Sequence, residues 1–266
     1  MPKTTTKGIR KLKGVRPIVC VTAYDTIFAT LADRAGIDLI LVGDSVGNTV
    51  LGFETTVPVT VEMMVHHTAA VTRAKPQAMV VADVPFAAGR YDFDRVLETC
   101  CRLLQEGGAE AVKIEGGARI APMIERLVHA GVPVLGHIGL LPQRVFTLGG
   151  YRKFGKDPAD REALLHDAMA LQDAGVFAII GEMMDASFSA ELSKTLAVPF
   201  IGIGCGPDCD GQILVSTDLL GLNLGKYPGF VKQFARLGEE VETAFRSYVE
   251  EVRDRRFPEP ANQPTP

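Results

Sequence analysis

Lys113 and Glu115 put two charges inside AVKIEG, Ala111 to Gly116, a segment whose other side chains are small or apolar. Two residues apart, they share one face of a strand, with Val112 and Ile114 on the other. An apolar outer face suits a strand covered by helices. The lysine and the glutamate then face inward, where an unpaired charge is costly. Two further apolar runs offer partners: LILVGDS ends in Asp44 and Ser45, and AMVVADVP carries Asp83 near its end. Three carboxylates and a lysine at the ends of three strands read as a metal and anion site at the rim of a parallel barrel. Hard carboxylate oxygens without clustered histidine or cysteine favour Mg²⁺ or Mn²⁺ over zinc, and magnesium is the better match.

Two more residues belong to this pattern. His137 interrupts the apolar run VPVLGHIG near its end, and Glu182 closes FAIIGEM, across the barrel from Asp44 if strand order is sequential. A cation that polarises a carbonyl and a separate carboxylate that removes a proton are the minimal apparatus for making an enolate. Burial among Phe177, Ile179, Ile180 and Met183 is expected to raise the pKa of Glu182 toward that of a base. Each residue taken singly also has an ordinary role. Asp44 and Asp83 fit helix caps or turns, Lys113 and Glu115 a structural ion pair, His137 a hydrogen-bonded core histidine, and Glu182 a salt bridge to Lys113. The glycines of IGIGCG fit a phosphate cradle no better than they fit tight packing.

The elements that must position these side chains alternate. IVCVTAY reads as a strand and DTIFATLADRAG as a helix. LILVG, AMVVADVP, AVKIEG, VPVLGHIG, FAIIGEM and PFIGIGCG follow as strands with helical stretches between them, and QILV is the weakest candidate for an eighth. A loop is expected from Gly47 to Thr60, a longer functional one over LLPQRVFTLGGYRKFGKDP, and a final helix from Phe230 to Val252. Strand and helix repeated about eight times predict an α/β fold, a single (β/α)8 TIM barrel spanning 1–266, with an N-terminal extension over 1–15 and a mobile tail over 255–266.

The 266 residues suit one such domain. A net charge of −4 with scattered basic residues lacks the footprint of a nucleic-acid binder. No stretch has the length of uninterrupted apolar sequence that a membrane span needs, and the polar, basic N-terminus does not resemble a signal peptide, so a cytoplasmic location is expected. The five cysteines show no C-x-x-C spacing and read as free thiols, Cys205 and Cys209 included.

In order along the chain, VTAYD, LVGDSVGNTVLG, TVPVT, VVADVPF, AVKIEGG, VPVLGHIGLLPQ, LGGYR and IGIGCGPDCDGQ resemble the ketopantoate hydroxymethyltransferase family, over Val21 to Gln212. The resemblance implies a barrel of the phosphoenolpyruvate/pyruvate type. It implies transfer of a hydroxymethyl group from 5,10-methylenetetrahydrofolate to 3-methyl-2-oxobutanoate, on the route to pantothenate and coenzyme A, with Mg²⁺ and a homo-oligomer, commonly a decamer. Carried over by position, Asp44, Asp83 and Glu115 surround the metal, directly or through water. Ser45 and Lys113 hold the oxoacid together with Asp44 and Asp83, His137 lines the same pocket, and Glu182 is the proton acceptor. The chain departs from the family pattern at Cys205, at Val46 to Val50, and in GEMMD around Glu182, which puts the surroundings of the base in doubt. A lyase or mutase of the same barrel superfamily could use the same carboxylates. A metal-binding assembly protein would need neither Glu182 nor a pocket lysine.

Overall fold

Eight parallel strands close on themselves in sequence order. They are β1 (Ile18–Thr22), β2 (Leu39–Val42), β3 (Met79–Asp83), β4 (Ala111–Glu115), β5 (Val134–Gly139), β6 (Ala178–Glu182), β7 (Phe200–Ile203) and β8 (Gly211–Leu214). The computed structural model describes residues 3–86, 88, 92–150 and 152–259. They fall into two compact units that divide between Val215 and Ser216, and the barrel belongs to the first.

Closure depends on a glycine. β1 pairs with β8 with Ile18 opposite Gly211, and a Cβ on Gly211 would lie 2.4 Å from the Ile18 carbonyl oxygen. Any other residue would push the first and last strands apart.

Alternation sorts each strand into two faces. Ile40, Val42, Val80, Ala82, Val112, Ile114, Val134, Ile138 and Ile179 pack outward under the helices. Leu39, Leu41, Met79, Val81, Ala111, Leu135, Ala178 and Ile180 fill the interior. The inward parity continues to Asp83, to Lys113 and Glu115, and to His137 and Glu182. β3 to β6 therefore end, on their inner face, in charge. At the opposite end α1 (Thr6–Leu12) buries Ile9 completely against the interior cluster, so part of the expected N-terminal extension is a helix packed on the barrel.

The outer helices are α2 (Thr26–Arg34), α3 (Val46–Thr49), α4 (Val61–Thr72), α5 (Phe93–Gln105), α6 (Ala121–His129), α7 (Val145–Leu148), α8 (Pro158–Asp173) and α9 (Ala186–Thr195). Side-chain oxygens of Asp25, Thr60, Asp92, Asp157 and Asp185 accept from backbone N–H groups in the first turns of α2, α4, α5, α8 and α9. The capping role open to Asp44 and Asp83 is thus taken by other residues. Both expected loops contain helix: α3 lies in the first, and the second has a 3-10 turn at Pro142–Arg144 followed by α7.

The second unit contains α10 (Ser216–Leu219) and α11 (Leu237–Arg253). The final helix starts at Leu237, not at Phe230. The N–H groups of Phe234, Leu237 and Gly238 donate to the carbonyls of Leu219, Leu220 and Gly221 at 2.8, 3.0 and 3.0 Å, which commits the preceding residues to that packing instead of a helical turn. Of the tail expected to be mobile, residues 260–266 lie outside the described residues.

Candidate active site

Strand register brings the charged ends together. Asp83 sits opposite Lys113, Glu115 opposite His137 and Gly139 opposite Glu182. Lys113 Nζ is 2.9 Å from Asp83 Oδ1 and 3.2 Å from His137 Nδ1. His137 Nδ1 is also 3.5 Å from Glu115 Oε1, and its Nε2 is 3.3 Å from Glu182 Oε2. Asp83 Oδ2 accepts the backbone N–H of Asp44 at 2.9 Å. Ser45 Oγ and the Tyr24 hydroxyl are 2.9 Å apart. All seven residues expected from the sequence thus gather at the carboxyl ends of β2 to β6.

Asp44 and Ser45 stand just past β2. The inward position before them is Gly43, where a Cβ would come within 2.7 Å of Ser45 Oγ. The missing side chain lets the Ser45 hydroxyl fold back toward the mouth. Beyond Glu182, Met183 holds a left-handed backbone, φ 51°, in a conformation that costs a side-chain-bearing residue about 1–3 kcal/mol and is typical of functional sites. Hydrogen bonds keep it there: Met183 N–H donates to Ile203 O at 2.8 Å, and its carbonyl accepts from Phe154 N–H at 2.9 Å.

Burial sets the electrostatics. Asp44, Asp83, Lys113, Glu115 and His137 are each at most 4% exposed. Burial, then the charges of Asp83 and Glu115, push the Asp44 carboxyl well above its ordinary value. Burial likewise raises Asp83, and Lys113 does not fully offset it. Burial alone would raise Glu115, yet the nearby imidazole of His137, with the charge of Lys113 and the N–H of Gln143, holds it below the ordinary value. Lys113 is raised although burial opposes it, because Asp83, Glu115 and Asp44 all favour its cation. His137 is raised, against both burial and Lys113, by the carboxylates of Glu115 and Glu182 beside its two ring nitrogens.

Glu182 differs from the expectation of an apolar enclosure. Its side chain is 18% exposed, more open than those of Asp83 and Glu115 at 3% and 1%. Ile179 packs outward and Phe177 and Ile180 belong to the barrel interior, so its neighbour is His137. The alternative salt bridge to Lys113 is replaced by the same contact.

Gln143, to which the sequence reading gave no role, is central. Its Nε2 donates to Asp44 Oδ2 at 2.8 Å and to Val84 O at 3.0 Å, and its backbone N–H donates to Glu115 Oε2 at 3.2 Å. The signal available was a lone amide closing the apolar run HIGLLPQ.

Among the described residues no three His, Cys, Asp or Glu side chains stand as a ready-made metal cage. The donor chemistry nevertheless fits a hard divalent cation. Asp83 Oδ1 and Glu115 Oε1 are buried without a well-formed hydrogen bond, and Lys113 approaches Asp83 Oδ1 as an ion pair only. Mg²⁺ usually takes one or two carboxylates and completes its shell with water and substrate oxygens, so a full protein cage is not required.

A profile described as ketopantoate hydroxymethyltransferase matches residues 3–260. The chain belongs to the ketopantoate hydroxymethyltransferase family. It is 50% identical over 249 residues to the 3-methyl-2-oxobutanoate hydroxymethyltransferase of Moorella thermoacetica, covering 94% of this chain and 92% of that one. It is 49% identical over 258 residues to that of Pyrobaculum calidifontis, covering 97% of both. The chain is therefore a hydroxymethyltransferase, which decides against the lyase, the mutase and the non-enzymatic alternatives. Among solved structures, a 2,3-dimethylmalate lyase of the PEP mutase/isocitrate lyase superfamily superposes with a TM-score of 0.61 at 19% identity, over 99% of this chain and 92% of that one. A phosphonopyruvate hydrolase in complex with oxalate and Mg²⁺ superposes with a TM-score of 0.63 at 13% identity, over 98% and 92%. At such identities the likeness is one of fold alone, a closed parallel barrel.

Proposed function

We propose that the mouth formed by β2 to β6 takes a proton from carbon 3 of 3-methyl-2-oxobutanoate and presents that carbon to the one-carbon unit of 5,10-methylenetetrahydrofolate. The observation that carries this reading is the contact series from Asp44 through Asp83, Lys113 and His137 to Glu182, in which binding groups at one end meet a partly open carboxylate at the other.

Asp44 and Asp83 would hold Mg²⁺, with Glu115 beside them directly or through water. Bound there, the cation would polarise the keto group and make carbon 3 more acidic. Lys113 and Ser45 orient the oxoacid through its carboxylate, Lys113 by charge and Ser45 by its hydroxyl, which Tyr24 steadies. Glu182 accepts the proton from carbon 3. His137, protonated more readily than a free imidazole, faces Glu182 through Nε2 at 3.3 Å and holds that carboxylate toward the substrate by charge. The electron pair left on carbon 3 forms the new carbon–carbon bond to the methylene carbon, whose two bonds to folate nitrogens break. Water supplies the hydroxyl, and the proton from carbon 3 with one from that water ends on the nitrogens of the departing tetrahydrofolate.

The family assignment supports methylenetetrahydrofolate as donor and an oligomer, of decamer size by resemblance, as the working form. Five free thiols support a reducing compartment such as the cytoplasm. No described helix is long and apolar enough to cross a membrane.

The test is a product assay with 3-methyl-2-oxobutanoate, methylenetetrahydrofolate and Mg²⁺. Ketopantoate should form with the donor present, and chelation should abolish it. Unchanged turnover in the presence of a chelator would remove the metal from this reading.

A further inference from the structure

Gln143 reaches three strands from a fourth. It lies in the 3-10 turn Pro142–Arg144 directly after β5. Its amide bonds to Asp44, just past β2, and to the Val84 carbonyl, just past β3, while its own N–H bonds to Glu115 at the end of β4. The residue is 4% exposed. Both partners of the amide are acceptors, a carboxylate and a carbonyl oxygen, so the NH₂ group must face them and the orientation is unambiguous.

The chemistry of the contact is selective. Asp44 is already crowded by Asp83 and Glu115, and a carboxylate in such company turns away from its neighbours unless something holds it. An arginine or lysine there would hold it but cancel the charge that a cation needs. An uncharged donor fixes the oxygen and leaves the charge. The second N–H, given to Val84 O, pins the amide so that it cannot swing with Asp44.

We propose that Gln143 is a positioning residue of the hydroxymethyl transfer, acting through Asp44: it preorganises that carboxylate for the divalent cation and the oxoacid and takes no part in proton removal. This rests on the reading of Asp44 as a metal and oxoacid residue.

The test compares Gln143→Met, which keeps length and the backbone N–H to Glu115 but deletes the donor, with Gln143→Asn, which keeps an amide too short to span both acceptors. Asp44→Asn and the double variant Asp44→Asn with Gln143→Met complete a cycle. Binding of Mg²⁺ alone is measured by calorimetry, and KM for the oxoacid, kcat and the thermal midpoint are measured on the same preparations. Loss of a residue that orients a metal ligand typically costs about 10- to 100-fold in metal affinity. Gln143→Met should weaken Mg²⁺ by about that factor and raise KM while kcat stays close to the parent's, with Gln143→Asn between the two. The double variant should be no weaker for Mg²⁺ than Asp44→Asn alone. If Gln143→Met does not fold, the same split read on Gln143→Asn decides. Unchanged Mg²⁺ binding and KM, or a fall in kcat that only tracks lost folded protein, overturns the proposal. If Asp44→Asn itself binds Mg²⁺ and oxoacid as the parent does, the reading of the site has failed. If only Asp44→Asn is impaired, Gln143 alone has been misassigned.

Discussion

Lys113 and Asp83 meet in register across β4 and β3, Nζ to Oδ1 at 2.9 Å, with side chains only 5% and 3% exposed. In an isolated ion pair the aspartate falls below its ordinary value. Here Asp83 stays above, because burial costs it more than one shared lysine returns, whereas Lys113 draws on three carboxylates at once. The lysine is the cation of a cluster, and Asp83 receives a fraction of it.

Deleting that cation should therefore be felt by the whole cluster. Lys113→Met should destabilise the protein by about 3–5 kcal/mol at neutral pH, the cost of leaving a buried charge without its partner. Adding Asp83→Asn removes one of the stranded charges and should restore part of the loss. Urea unfolding of parent, single and double variants measures both. A double variant less stable than Lys113→Met would show that Asp83 is not among the groups the lysine compensates.

Stability should fall as pH rises above about 6.5, the ordinary value for histidine. His137 binds its proton more tightly folded than unfolded. Its contribution is complete below the unfolded value and is lost as pH rises through the folded one. Asp44 and Asp83, also raised, act in the same direction from lower pH upward. Glu115, lowered, acts oppositely: its contribution is present above its unfolded value and is lost as pH falls through the folded one. Urea midpoints between pH 6 and 9 should decline in the parent and flatten in His137→Gln. An equal decline in both would show that His137 is not the group responsible.

Val241, Phe245, Tyr248, Val249 and Val252 recur at helical spacing on α11 and are between 40% and 68% exposed. An apolar stripe of this kind is a candidate interaction surface. Light scattering at micromolar concentration should give a mass several times 28.6 kDa, and Phe245→Glu should shift it downward. A monomer mass for the parent would remove the assembly from the proposed function.

The barrel was legible because its cause is repetitive: apolar strand runs alternating with helical stretches about eight times left little freedom in fold class. The charged strand ends were legible for the same reason, since Lys113 and Glu115 break an apolar run on one face only. Glu182 shows the limit. Its apolar neighbours in sequence lie on the outer face or deeper in the barrel, and its environment is set by His137 across β5 and β6, a register effect that no local pattern displays. Gln143 was missed because a single amide after an apolar run carries no periodicity, and its importance arises only when β2, β3 and β4 deliver acceptors to it. The start of α11 was misjudged because the N–H groups of Phe234, Leu237 and Gly238 find carbonyls at 219–221 that helical spacing cannot reveal.

Glu182 separates binding from proton removal and can be tested on that distinction. Glu182→Gln keeps the shape and deletes the base, while Asp44, Asp83, Lys113 and Ser45, on β2 to β4 and the turn beyond β2, remain to hold oxoacid and cation. Loss of a positioned general base typically costs about 10² to 10⁴ in rate. In deuterated water the parent should exchange hydrogen for deuterium at carbon 3 of 3-methyl-2-oxobutanoate with no folate present. Glu182→Gln should bind the oxoacid yet exchange slower by that factor. His137 is a poor substitute base, since its Nε2 already faces Glu182 and its environment favours the protonated ring. If the variant exchanges at the parent rate but makes no ketopantoate, Glu182 acts in the one-carbon transfer instead. His137→Gln in the same assay would then show whether the imidazole removes the proton.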